Sequence, residues 1–130
     1  EFNISNSAAK LASIAQIPHA SLISADGANH KQWAHDFIHP LLYIKTMGLK
    51  EQTLLNHNFK MVSIFRPGML LRQLNDSSLF EKIIERLGKG LRVALLADAM
   101  IRDAMCKKSK NKESPVVYLG NRCIKNSIIL

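Results

Sequence analysis

A chain of 130 residues, 47% of them hydrophobic, is long enough to bury a core and short enough to be one domain, 1–130. Polar or charged residues interrupt every apolar stretch before the roughly 18 residues that a membrane-spanning helix needs, so no span is expected, and the N-terminus lacks the charged-then-apolar layout of a signal peptide. The net charge of +8 would favour polyanions if it were clustered, but the densest run, Lys107, Lys108, Lys110 and Lys112, reads as a solvated basic loop over 107–114, and no aromatic platform or helix-turn-helix pattern accompanies it, so nucleic acid is not an expected partner.

Residues Ser7 to Gln16 place Ala8, Leu11, Ala12 and Ala15 at helical spacing before Pro18, which predicts a short amphipathic helix. Ala20 to Ser24 is a brief apolar run closed by Asp26-Gly27, a buried strand entering a turn. The stretch from His30 to His39 has no clean period and reads as an irregular loop. Helical spacing returns from Pro40 to His57, with proline suited to the first turn and Leu41, Leu42, Ile44, Leu49, Leu54 and Leu55 supplying apolar faces. Lys60 to Phe65 predicts a second strand, stopped by Arg66-Pro67-Gly68 because proline cannot donate to a ladder. A helix capped by Asp76 or Ser77 should run to Leu87 and end at Gly88-Lys89-Gly90. Val93 to Lys108 is a third helical segment, Val116 to Leu119 a last strand, and Ile124, Ile128 and Ile129 suggest one further turn of helix.

Short apolar strands separated by helices imply parallel crossovers and an α/β layered sheet. Three strands leave an edge that normally receives another, so a partner chain or a second copy is expected to cover it. The two cysteines, Cys106 and Cys123, are too few and too unpatterned for a disulfide framework or a zinc site, and are expected to be buried or idle thiols. His35 and His39 have the spacing of a helical metal site, but Pro40 disfavours helical angles at His39 and no third ligand is evident, so no metal is expected.

Open α/β sheets bind ligands at the C-terminal ends of their strands. Ser24 ends the first strand there, Tyr43 lies in the first turn of the following helix, and Arg66-Pro67-Gly68 closes the second strand at the same end. Those residue types suit reduction of a carbonyl, with the tyrosine hydroxyl donating a proton and the serine hydroxyl orienting the oxygen. A strand-end serine and a helical tyrosine also occur by chance, so residue types alone leave a purely structural role open.

The strings Leu22-Ile23-Ser24-Ala25-Asp26-Gly27-Ala28, Leu42-Tyr43-Ile44 with Gly48 and Glu51, and Ser63-Ile64-Phe65-Arg66-Pro67-Gly68-Met69-Leu70-Leu71 resemble, in order and spacing, the Tat-interacting protein branch of the atypical short-chain dehydrogenase/reductases. The likeness extends through the helix from Val93 to Met105 and the tail from Asn121 to Ile124. It implies a Rossmann-like fold, bound NADPH with Arg66, Pro67 and Gly68 on the cofactor side, Ser24 and Tyr43 as the active-site pair, and a regulatory role in transcription, nuclear transport and apoptosis, in the cytoplasm or nucleus.

Two departures from the family's pattern bear on activity. Its Tyr-x-x-x-Lys pairing becomes Tyr43 to Met47, a thioether where a cation would hold the nicotinamide ribose, and Lys45 lies roughly 200° around the helix from Tyr43 and cannot substitute. The strand, glycine-rich turn and helix that cradle a pyrophosphate have no counterpart here. The expectation is therefore the C-terminal half of a Rossmann-like sheet acting as a non-catalytic binding or regulatory module with protein partners. The alternative is a fragment of an active NADPH-dependent oxidoreductase whose cofactor-binding half lies outside this chain.

Overall fold

The computed structural model describes residues 2–32, 39–71, 90–105 and 114–129. The helix expected over 76–87, most of the irregular stretch from His30 to His39, and the basic run at 107–112 lie outside the described residues. The elements in chain order are α1 (Phe2–Ile14), β1 (His19–Ile23), α2 (His39–Leu55), β2 (Met61–Arg66), β3 (Leu70–Leu71), β4 (Leu91–Arg92), α3 (Val93–Met105), β5 (Val116–Leu119) and α4 (Gly120–Ile129).

Three strands form a parallel sheet in the order β1-β2-β5, with Ser21 opposite Ser63 on one side of the central strand and Phe65 opposite Tyr118 on the other. This is the α/β architecture expected from the sequence, the arrangement of one half of a Rossmann-like sheet. Strand alternation sends the side chains of β2 to opposite faces. Val62 and Ile64 pack with Ala9 of α1 and Leu54 of α2. Phe65 packs with Leu96 and Ala99 of α3, Tyr118 of β5 and Ile124 of α4. The Phe65 and Tyr118 rings stack at 4.5 Å between centroids. With both faces covered, β2 reads as a near-continuous apolar run, as a central parallel strand should.

Helix α1 corrects one reading. The apolar positions expected to face inward include Leu11, yet Leu11 is 67% exposed and Ala9 is the buried residue. The small side chain of Ala9 packs with Leu54 of α2, while Ile4, Leu11 and Ile14 are left outward. The helix ends in paired capping bonds, from the Gln16 amide to the Ser13 carbonyl and from the Ile17 amide to the Ala12 carbonyl, with Gln16 in the left-handed region at φ 54.

At the other end of the chain, the single expected turn is a ten-residue helix, α4, whose Ile124 and Ile128 pack on α3. The two-residue strands β3 and β4, paired in parallel, escaped the sequence reading. Gly90 directly precedes β4 and packs against Leu71, leaving no room for a Cβ, while the helix it was expected to end lies outside the described residues. Cys123 is exposed rather than buried, and Cys106 lies outside the described residues.

Gly48 fixes how α2 meets the loop that follows β1. A Cβ there would stand 2.2 Å from the His30 backbone nitrogen and 2.4 Å from the Asn29 carbonyl carbon. The Asn29 amide donates to the Ile44 carbonyl across the same contact. Gly48→Ala is expected to destabilise the fold by about 2 kcal/mol, because the backbone clash outweighs the ~1 kcal/mol that alanine gains in an ordinary helix. Urea unfolding measures this; a variant as stable as the parent would show that the loop does not rest on α2.

Candidate functional site

The rim of the sheet is built by a ladder that outlasts its strands. Past the end of β1, the Ser24 amide donates to the Phe65 carbonyl at 2.7 Å, and the Asp26 amide donates to the Pro67 carbonyl at 3.1 Å. Proline cannot donate, but its carbonyl still accepts, so the two chains stay side by side to Pro67. The Ala28 amide then closes a turn on the Ala25 carbonyl, with Gly27 at φ 80. On the far side, the Asn121 carboxamide accepts from the Gly68 amide at 3.0 Å and donates to the Met69 carbonyl at 3.2 Å, tying the loop after β2 to the start of α4.

These loops line an open cavity of about 260 Å³ bordered by Ser24, Ala25, Asp26, Tyr43, Pro67, Gly68 and Leu70. Four of the five residues singled out from the sequence thus line one cavity: Ser24, Tyr43, Pro67 and Gly68. Ser24 is buried and its Oγ has no hydrogen-bond partner among the described residues. Tyr43 is 49% exposed at the mouth and belongs to the second turn of α2, since the helix begins at His39 rather than Pro40.

Arg66 is placed differently. Its Nε donates to Glu51 Oε1 at 2.8 Å and an Nη donates to Oε2 at 2.5 Å, a two-pronged pair with a buried carboxylate of α2. That hydrogen bonding holds its proton more firmly than usual; partial burial opposes the effect, and the charges of Glu51 and Asp26 reinforce it. The guanidinium braces α2 against β2 and is not among the residues lining the cavity. Sequence reasoning passed over Asp26 as a turn residue and gave no role to Glu51. The available signal was an acidic residue on an apolar helix, which needs a cation when buried.

A dinucleotide does not fit what is described. The cavity is below the ~300–1,000 Å³ common for cofactor and drug-sized pockets. The Gly68 amide donates to Asn121, and the Arg66 guanidinium is held by Glu51, so neither is open to a phosphate. Among the described residues no group of three or more His, Cys, Asp or Glu side chains could hold a metal ion. No helix of these residues is long and apolar enough to cross a membrane.

A second polar cluster lies deeper in the sheet. His19 Nε2 is hydrogen bonded to Ser63 Oγ at 3.0 Å and stands 3.6 Å from Asp103 Oδ2, while Asp103 Oδ1 accepts from the Tyr118 hydroxyl. The residue types are those of a hydrolytic triad, but a triad uses opposite ring nitrogens for serine and aspartate. Here one nitrogen faces both, and Ser63 is wholly buried. The cluster ties α3 across all three strands.

No family model matches the sequence, and no curated protein matches it.

An unpartnered buried hydroxyl weakens a fold by about 1–3 kcal/mol. Ser24→Ala is therefore expected to raise stability by about 1 kcal/mol, read as a higher denaturant midpoint at unchanged slope. A clear loss of stability would show that this hydroxyl has a structural partner.

Proposed function

We propose that the chain is a reductase-like binding module: the rim cavity receives a small hydroxyl- or carbonyl-bearing ligand between Ser24 and Tyr43 without reducing it, and the output is regulatory, through protein partners. The observation that carries this reading is the convergence of Ser24, Tyr43, Pro67 and Gly68 on one cavity at the C-terminal end of parallel strands, with the Ser24 hydroxyl buried and unpartnered among the described residues. A buried hydroxyl in a cavity with no protein partner is available to a ligand oxygen.

Three features separate binding from catalysis. Met47 occupies the position one turn beyond Tyr43 where the resembled reductases place a lysine. Arg66 is committed to Glu51. The Gly68 amide in the loop after β2 is committed to Asn121. The assignment to the Tat-interacting protein branch, and with it a role in transcription, nuclear transport or apoptosis, rests on the sequence strings alone.

The alternative reading, a piece of an active NADPH-dependent oxidoreductase, is favoured by one observation: among the described residues β1 pairs only with β2, leaving its outer edge open to a further parallel strand. A second copy of the chain is another candidate for that edge.

Titration of the chain with NADPH, followed by fluorescence and calorimetry, separates the readings. The expected result is no binding in the micromolar range and no NADPH consumption in the presence of simple aldehydes and ketones. Micromolar binding accompanied by carbonyl reduction would replace the binding module with an enzyme.

A further inference from the structure

We propose that the rim cavity selects its ligand by charge, taking neutral or cationic carbonyl and hydroxyl compounds and rejecting carboxylates and phosphates of the same size, with Asp26 as the discriminating residue. The proposal rests on the reading of this cavity as a ligand pocket and adds the class of compound it takes.

The sign runs against the whole molecule. A net charge of +8 draws anions toward the surface at long range. Inside the cavity the balance reverses. Asp26 is the one formally charged residue among its described lining, and no hydrogen bond or ion pair from the described residues reaches that carboxylate. The cation that feels it, Arg66, has two guanidinium nitrogens on Glu51, so among the described residues these two charges offset one another and the Asp26 charge is left at the cavity.

Two further observations point the same way. The Gly68 amide, at the bend after β2, donates to Asn121 Oδ1, so that amide is not open to an incoming anion. Ala25, Pro67 and Leu70 supply apolar walls, which bring no opposing charge to the cavity. What remains for recognition is the Ser24 hydroxyl, the Tyr43 hydroxyl and a carboxylate. Those groups match a ligand oxygen and an uncharged or positively charged substituent.

The magnitude is modest because Asp26 is solvent exposed. A unit charge at about 4 Å in a water-like dielectric changes affinity by roughly fivefold in either direction. Salt shrinks that factor, since exposed charges are screened.

Three cyclohexanones bearing a methyl, an ammonium or a carboxylate group opposite the carbonyl provide size-matched probes for ligand-observed NMR titration of the intact chain. The ammonium compound is expected to bind roughly fivefold more tightly than the methyl compound, and the carboxylate compound roughly fivefold more weakly. Asp26→Asn should bring all three within about twofold of one another. The same charge is read without a substitution by raising salt on the wild-type chain, which should compress the ranking. Equal binding of the three by wild type, or a ranking that survives both the substitution and salt, would overturn charge selection while leaving the pocket intact. Failure of all three probes to bind would remove the ligand-pocket reading and this inference with it.

Discussion

The molecule depends on one constraint: β2 is buried on both faces, so its neighbours must satisfy its backbone from both sides. An unpaired amide or carbonyl in that interior costs free energy comparable to a lost hydrogen bond. Parallel pairing to β1 and β5 satisfies them, and the helices close the two faces, α1 and α2 over Val62 and Ile64, α3 and α4 over Phe65. Each later feature inherits its position from this strand. The polar cluster of His19, Ser63, Asp103 and Tyr118 joins β1, β2 and β5 to α3, and the Arg66–Glu51 pair joins β2 to α2.

The candidate site follows from the way this pairing ends. Proline at position 67 stops β2 from donating, yet its carbonyl and that of Phe65 still accept, so the chain after β1 is carried past the sheet edge before it turns. Ser24 is held where its main chain is satisfied and its hydroxyl is not. Gly48 lets the turn press on α2 closely enough to bring Tyr43 to the same cavity. The rim thus combines a hydrogen-bonded backbone with a side-chain hydroxyl that has no partner among the described residues, a combination that suits a ligand site.

Much of this was legible in the sequence because the governing signals are local. Apolar runs bounded by Asp26-Gly27 and Pro67-Gly68 mark both strands, and the helix–strand alternation implies parallel pairing. The placement of Ser24 and Tyr43 at one end follows from parallel direction alone. What escaped reading depends on distant partners. Arg66 resembles a ligand-side cation until Glu51 is seen against it, and the need for glycine at position 90 shows only once Leu71 is seen against it. The outward Leu11 escaped for the opposite reason: periodicity finds an apolar stripe but does not say that Ala9 is the residue that packs with Leu54 of α2. The extent of α4 was underread because its apolar positions are sparse and its stability comes from packing on α3.

The claim that β2 sets the rim is tested most directly by native-state amide hydrogen exchange, residue by residue. If the ladder overruns β1 as described, the amides of Ser24 and Asp26 are protected along with those of β2, although both residues lie beyond the strand. Exchange of Ser24 and Asp26 at the rate of an open loop, with β2 still protected, would contradict the account.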